Sequence, residues 1–397
     1  MGNSMKIYEI GTGYTPIPAQ MGAATEIVVE ELTEAFLKAQ ENVEILDIAS
    51  AHRASHNLPI TEIKVPAVFT RKDVSLGILH KMKRVVYSLA LASQLKKILK
   101  NSTEKVILHF HNQYNLFFFL KTVPKKYRQK AVIAYTVHSY IWGTRWEEIE
   151  STIKKKYFQE VFCVQNADLV LVLNDITIDH LTQRFGVDRD RIVKTINGVN
   201  TDKYSPLSAY ETEKFKAENG LQNKKVIFQV GSVCDRKNQL GSVQMLLPYL
   251  RKNPDVVFMY AGGVIDEEYK LSIDKLATEN GIEAQVRYAG ELAPGKVLNQ
   301  YYNMAHCSVF TSKLESFGLV IIEAISAGTP VILSNSLMFD LHKGYSIYNS
   351  DEEFISLVDK TLNTEKSAVS DRTEVLEKYS WNSVAADHLH HFKNLLN

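Results

Sequence analysis

The chain of 397 residues is long enough to form two domains with separate cores. Its 46 basic and 45 acidic residues leave almost no net charge, so no strong electrostatic field marks nucleic acid as a partner. The three cysteines, Cys163, Cys234 and Cys307, form neither a CxxC pair nor a disulfide framework, which predicts a reducing, cytoplasmic location. No apolar stretch reaches the length of a membrane span, and the early charges at Lys6 and Glu9 argue against a signal peptide.

Strand patterns alternate with room for helices through the first half of the chain. The glycine loop Gly11-Thr12-Gly13 follows the first strand, and helical periodicity covers residues 25–40. Buried strands are predicted at residues 6–10, 43–48, 106–110, 131–137 and 169–173. Strands separated by helices indicate βαβ units and therefore a parallel sheet.

A second series of the same kind begins after Pro206. Its strands are predicted at residues 226–230, 256–261, 285–289, 307–310 and 330–333. Ser380 is a plausible cap for a final helix. We therefore predict α/β domains at residues 1–205 and 206–378, followed by a helix at 379–397. Two such domains imply a cleft lined by the carboxyl ends of strands.

The segment from Glu315 to Glu323 is the most informative part of the sequence. We predict a helix that begins near Phe317 and carries Glu323 about two turns in, while Glu315 stays in the preceding loop. Free N–H groups at a helix N-terminus suit a phosphate, and carboxylates accept hydrogen bonds from sugar hydroxyls. The alternative is an ordinary amphipathic helix with exposed acids.

A second candidate for phosphate binding lies after the first strand of the second half. Gly231 ends this strand, and Arg236 and Lys237 follow a few residues later. Cations at this position would stabilise a departing diphosphate as it gains charge. The alternative is a pair of surface cations in a loop.

Histidines end two strands of the first half. His138 follows the strand at 131–137, and alternation turns His109 and His111 to one side of the preceding strand, as a metal pair requires. The sequence offers no apparent third ligand, so strand-end packing or acceptor contact is favoured over a metal site. Gly11-Thr12-Gly13 is an incomplete dinucleotide fingerprint, because Pro16 occupies the place of its third glycine.

These motifs together carry a family resemblance that spans nearly the full chain. The Glu-x-Phe-Gly motif at Glu315, with a second Glu eight positions later and then Ala-x-Gly-x-Pro-Val, resembles the retaining family 4 glycosyltransferases. Asn197-Gly198-Val199-Asn200 is similar to the signature of their interdomain link, and Tyr379-Ser380-Trp381 to the entry of their last helix. The resemblance implies the GT-B fold, in which two Rossmann-like parallel-sheet domains face a cleft and the C-terminal helix returns to the first domain.

The resemblance also implies a role for each matching residue. Glu315 would contact the donor sugar, with His138 and Lys237 as further catalytic residues, and Glu323 would hold the ribose. Arg236 could replace the arginine that the family carries at the position of Ser232. The donor-binding residues implied are Gly22, Gly231, Arg236, Lys237, Gly290, Glu291, Phe317, Gly318, Leu319 and Glu323. His111 and Asn112 are assigned to the acceptor side.

We therefore predict a retaining hexosyl- or N-acetylhexosaminyl-transferase that uses a UDP-sugar and a carbohydrate or glycolipid acceptor in cell-surface glycan synthesis. No Asp-x-Asp motif stands in a suitable context, so neither a metal nor another cofactor is expected. A nucleotide-sugar epimerase of the same fold and a catalytically silent sugar-binding protein are the alternatives. The basic stretches at 80–100 and 121–130 are either solvated faces or sites for anionic lipid at the cytoplasmic membrane face.

Overall fold

The computed structural model describes residues 5–19, 23–69, 78–337, 341–366 and 370–396. The chain divides into two compact units, Met1–Asn197 with Trp381–Asn397, and Gly198–Ser380. The segment 198–205 lies in the second unit, although we placed it in the first domain. The amides of Asn299 and Asn303 donate to the Ser205 carbonyl over 3.0 Å each, which ties this segment to the second unit.

The first unit is built on a parallel sheet. Its strands are β1 (Lys6–Ile10), β2 (Asn42–Ile48), β3 (Ile60–Ile63), β4 (Val106–Phe110), β5 (Ala131–Thr136), β6 (Leu169–Val172) and β7 (Ile192–Lys194). Their order is β3-β2-β1-β4-β5-β6-β7. The helices described here are α1 (Ala24–Lys38), α2 (Ile78–Asn101), α3 (Gln113–Thr122), α4 (Lys125–Arg128), α5 (Trp146–Lys156), α6 (Phe158–Asn166) and α7 (Asp175–Phe185).

The second unit repeats this architecture with a smaller parallel sheet. Its strands are β8 (Lys225–Val230), β9 (Val256–Ala261), β10 (Val286–Tyr288), β11 (Cys307–Phe310), β12 (Val331–Ser334) and β13 (Tyr345–Tyr348), in the order β10-β9-β8-β11-β12-β13. Its described helices are α8 (Ala209–Glu218), α9 (Gln239–Lys252), α10 (Glu267–Glu279), α11 (Lys296–Met304), α12 (Leu319–Ser326), α13 (Asp351–Leu362) and α14 (Thr373–Lys378). The predicted α/β class with two parallel-sheet, Rossmann-like units is confirmed.

The last helix, α15 (Trp381–Leu396), belongs to the first unit. Its Phe392 ring lies 6.3 Å from the ring of Phe36 in α1, measured between centroids. Lys393 forms an ion pair of 2.8 Å with Glu41, just after the same helix. In the parts of the chain that the structure describes, no helix is both long enough and apolar enough to span a bilayer.

Central strands of both sheets are predominantly apolar, as expected where helices cover both faces. All residues of β4, β5 and β6 are buried. The register pairs Ile10 with Phe110 and Phe110 with Tyr135. Because parallel strands end at one edge of a sheet, the residues that follow β1, β4 and β5 come together there.

Candidate active site

Lys237 is held against the end of strand β8. Gly231 follows this strand with a φ of 151°, and a Cβ there would lie 3.1 Å from both Cδ and Cε of Lys237. The absence of a side chain at Gly231 therefore lets the lysine stem lie directly on the backbone. This contact positions the ammonium group and explains the glycine that the sequence places at the strand end.

The Glu315 carboxylate forms ion pairs with two cationic side chains. It lies 2.5 Å from the Lys237 ammonium and 3.2 Å from the Arg236 guanidinium. Burial by itself raises the pKa of Glu315, but the charges of Lys237 and Arg236 outweigh it and lower that pKa below its usual value. The carboxylate is therefore ionised at neutral pH. Arg236 also donates to the Leu314 carbonyl over 2.9 Å, a contact with the Glu315 loop that the sequence did not predict.

A buried polar network supports the loop from beneath. The Gln229 amide in β8 donates to the Lys237 carbonyl over 2.8 Å, and its oxygen accepts from Ser242 in α9 over 2.7 Å. Ser242 also bonds to the Thr311 hydroxyl over 2.7 Å. Our reading of the sequence missed these three residues. The usable signal was Gln229, a polar residue inside an otherwise apolar buried strand.

Helix α12 begins at Leu319, two residues after the predicted start. Gly318 adopts φ 84° and ψ 54° as its N-cap, a left-handed conformation that glycine accommodates readily. Phe317 lies before the helix, with its ring 6.1 Å from that of Tyr379. Glu323 lies in the second turn, as predicted, and is only 6% exposed. The Tyr302 hydroxyl contacts one oxygen of Glu323 over 3.2 Å and the Val320 carbonyl over 3.1 Å, and it helps to orient the carboxylate.

The backbone at Gly290, one of the predicted donor-binding residues, lies beside two other glycines. The Gly290 carbonyl accepts from the Gly262 amide over 2.8 Å, and Gly290 has a φ of 79°. The carboxyl carbon of Glu291 would lie 3.3 Å from a Cβ on Gly263. A Cβ on Gly262 would lie 2.1 Å from the Gly231 carbonyl oxygen, so the missing side chain lets these two strand ends approach each other closely.

In the first unit, His138 follows β5 and contacts a histidine at the end of β4. Nε2 of His138 lies 2.9 Å from Nδ1 of His111. Asn112 caps α3, accepting from the Tyr114 amide over 2.9 Å, and its own amide donates to the Tyr14 hydroxyl over 2.8 Å. The structure thus brings His111, His138 and Asn112 to one edge of the sheet. Gly22 lies outside the described residues.

The third partner that the sequence did not reveal for His109 and His111 is Glu9. Its two carboxylate oxygens lie 2.9 Å from Nδ1 of His109 and 2.7 Å from Nε2 of His111. Within the described residues this is the group whose ligand atoms could hold a metal, all within 4.8 Å of one another. Separations of 2.7–2.9 Å are hydrogen-bond lengths, shorter than the spacing of two ligands around one ion.

Two protein-family models match consecutive parts of the chain. The model described as Glycosyltransferase Family 4 matches residues 25–203, and the model described as Glycosyl transferases group 1 matches residues 211–369. The two parallel-sheet units and the two matching family models identify a GT-B glycosyltransferase. The chain belongs to glycosyltransferase family 4.

Known proteins of several kinds resemble the chain. Spore coat protein SA of Bacillus subtilis is 22% identical over 401 residues, 96% of this chain and 97% of the relative. The processive diacylglycerol alpha-glucosyltransferase of Acholeplasma laidlawii is 24% identical over 269 residues, 64% of this chain and 74% of the relative. Anabaena HepE, crystallised with UDP and glucose, has a TM-score of 0.73 at 14% identity, covering 98% of this chain and 100% of the neighbour.

Proposed function

We propose that this glycosyltransferase transfers a hexosyl or N-acetylhexosaminyl group from a UDP-sugar with retention of configuration. The observation that carries the proposal is the ion pair between Lys237 and Glu315, at the end of the central strand β8. When the donor binds, the Lys237 ammonium would exchange its ion pair with Glu315 for one with the donor diphosphate. The Glu315 carboxylate would then be available to accept hydrogen bonds from the sugar hydroxyls. Glu323, in the second turn of α12, would bind the ribose.

The reaction proposed needs no nucleophile from the protein. The bond between the anomeric carbon and the diphosphate oxygen breaks, and the acceptor oxygen bonds to the same face of that carbon. The acceptor proton passes to the departing diphosphate oxygen. Lys237, Arg236 and the amides of Phe317, Gly318 and Leu319 would stabilise the charge that gathers on the leaving group.

We also propose that no metal takes part. Lys237 and Arg236 supply two positive charges close to where the diphosphate would lie. The group of Glu9, His109 and His111 is spaced as a set of hydrogen bonds. Transfer assayed after dialysis against a chelator should keep its full rate. A rate that falls with chelation and returns with Mg²⁺ or Mn²⁺ would contradict this part of the proposal.

The donor assignment is tested by a panel of nucleotide sugars scored by thermal unfolding. A donor at about 100 times its dissociation constant stabilises the folded protein by about 2.7 kcal/mol, a shift of a few degrees. We expect UDP-hexoses to raise the unfolding temperature more than GDP- or ADP-sugars. Incubation with the effective donor alone, followed by analysis of the sugar, separates transfer from epimerisation, because only an epimerase yields a new free nucleotide sugar.

Glu323→Ala should weaken UDP binding. A hydrogen bond to a charged group contributes about 1.5–3 kcal/mol, so the dissociation constant should rise about 10- to 100-fold in titration calorimetry. Tyr302→Phe is the matched control, because it removes only the hydroxyl that orients Glu323 and should cause a smaller loss. Equal UDP affinity in Glu323→Ala and the wild type would contradict the ribose assignment.

Helix α2 suggests how a lipid-linked acceptor of cell-surface glycan synthesis would be reached. Its outer face shows an apolar stripe, Leu79, Met82, Val85 and Leu89, with exposed fractions of 55%, 49%, 38% and 43%. Exposed lysines continue along the same helix at Lys81, Lys96, Lys97 and Lys100. An apolar stripe flanked by lysines suits the surface of an anionic bilayer, at the cytoplasmic face in our proposal. The diacylglycerol in the name of the Acholeplasma relative supports a lipid acceptor.

The double substitution Leu79→Ser and Met82→Ser should reduce binding to vesicles of phosphatidylglycerol about 100-fold or more, since the two buried apolar side chains together contribute about 3–6 kcal/mol. Flotation with these vesicles and with phosphatidylcholine vesicles measures the effect. Leu271→Ser is the control, because Leu271 is 63% exposed on α10 of the second unit. Equal flotation of the double variant and the wild type would contradict a role for the apolar stripe in membrane binding.

A further inference from the structure

A continuous series of hydrogen bonds connects five side chains at the sheet of the first unit. The Thr136 hydroxyl lies 2.8 Å from Nε2 of His109, whose Nδ1 lies 2.9 Å from one oxygen of Glu9. The second oxygen of Glu9 lies 2.7 Å from Nε2 of His111. Nδ1 of His111 lies 2.9 Å from Nε2 of His138. We call the part from Glu9 through His111 to His138 the histidine chain.

The direction of these hydrogen bonds starts from the charge on Glu9. This side chain is fully buried, and burial by itself would raise its pKa. The imidazoles of His109 and His111 outweigh that cost and lower the pKa of Glu9 to about 2. An ionised carboxylate can only accept hydrogen bonds. His109 must therefore donate from Nδ1, and His111 must donate from Nε2.

The next bond follows from the charge state of His111. Burial, together with the neighbouring His109, lowers the pKa of His111 to about 4 although Glu9 acts in the opposite direction. At neutral pH the ring therefore carries one proton, which Glu9 holds on Nε2. Nδ1 of His111 is then a lone-pair acceptor, so Nε2 of His138 must be the donor across the 2.9 Å contact.

Donation from Nδ1 of His111 to Nε2 of His138 is disfavoured by the surroundings of the histidine chain. It would require a second proton on His111, which is only 4% exposed. It would also place that imidazolium next to His138, whose pKa burial and the neighbouring His111 already lower well below the usual value. From α15, His388 has its ring 5.7 Å from that of His109, and its Nδ1 contacts the Val384 carbonyl over 2.8 Å.

We propose that Glu9 is a positioning residue that acts through His111 to fix His138 in the tautomer protonated at Nε2. Nδ1 of His138 is then a hydrogen-bond acceptor, suited to receive a hydroxyl proton of the donor sugar. The second statement rests on the proposed function and on the catalytic role that the family resemblance implies for His138; the first does not. A buried acid thus selects which ring nitrogen of His138 meets the substrate.

The tautomer is measured by nitrogen NMR of protein labelled with ¹⁵N-histidine at neutral pH. The chain contains 12 histidines, and His138→Gln identifies the His138 signals by their loss. In the wild type we expect a protonated Nε2 and an unprotonated Nδ1 for His138. A proton on Nδ1, whether in the other neutral tautomer or in the imidazolium, would overturn the proposal before any variant is considered.

Glu9→Gln tests the role of the acid at nearly constant volume. The amide offers an N–H to one of the two histidines it faces, so the direction of the bonds is no longer dictated. We expect His138 to become a mixture of tautomers and kcat to fall about tenfold, the effect of one lost hydrogen bond. A wild-type tautomer of His138 in Glu9→Gln would overturn the role of Glu9.

Thr136→Val is the matched control. It removes one buried hydrogen bond on the far side of Glu9, while leaving the path from Glu9 to His138 intact. We expect the wild-type tautomer of His138 in this variant. UDP affinity and unfolding temperature verify that both variants are folded. If the tautomer responds as expected but kcat does not, the tautomer assignment is supported and the role of His138 toward the donor fails.

Discussion

Replacing Glu315 with Gln is expected to lower kcat for transfer by about 10²–10³-fold, the usual effect of removing one preorganised electrostatic group from an active site. The amide keeps the size of the side chain but not the charge that Lys237 and Arg236 hold in place. UDP affinity should stay equal or rise, because Lys237 no longer has a carboxylate competing with the diphosphate. Steady-state kinetics and UDP titration on the same preparation measure both effects.

Asp235→Asn is the control for Glu315→Gln. Asp235 precedes Arg236 and Lys237 in the loop after β8 and pairs with Lys313 over 2.6 Å, but its side chain is 71% exposed. An exposed pair of this kind contributes little, so kcat should change less than about twofold. Unchanged transfer in Glu315→Gln would remove Glu315 from the reaction. A parallel loss of transfer and UDP affinity would instead indicate that the loop had collapsed.

The second large effect is expected for Lys237→Met. Methionine can keep the apolar stem packed over Gly231 while removing the ammonium group. Loss of a charged hydrogen bond of about 1.5–3 kcal/mol should weaken UDP binding about 10- to 100-fold. The effect on kcat/KM for the donor should be larger, because charge on the diphosphate increases as the glycosidic bond breaks.

Two further variants, one at a lysine and one at an arginine, test whether the effect is specific to Lys237. Lys313→Met removes a side chain that is 54% exposed and forms an ion pair with the exposed Asp235, and it should leave both measurements near the wild type. Arg236→Met should have an intermediate effect if its guanidinium replaces the arginine expected at Ser232. Wild-type kcat/KM in Lys237→Met would contradict the assignment of the leaving group to this strand end.

The central strands could be predicted because their apolar runs are bounded by glycine and polar residues. The strands that the prediction missed, β3, β7 and β13, are the edge strands of their sheets and only three or four residues long. Edge strands pair on one side and are partly exposed, so their sequences carry little of the hydrophobic signal. Residues 60–63 illustrate this, with one buried position among four.

The candidate site was predictable where a motif is local in sequence, and not where it depends on sheet order. Glu315, Phe317, Gly318 and Glu323 lie within one loop and one helix. Glu9, by contrast, meets His111 across 102 positions of sequence, because β1 pairs with β4. Periodicity does not encode which strands are neighbours. The local traces of this contact were an acid on the buried side of β1 and a histidine inside the apolar strand β4.

The position of helix α15 bears on how the protein is synthesised. The first unit needs the final residues of the chain, whereas the second unit is continuous from Gly198 to Ser380. A ribosome therefore releases all of the second unit before it supplies the helix that covers Phe36 and His109. The domain begun first is finished last, so premature termination before Trp381 should yield a complete second unit joined to an uncovered first one.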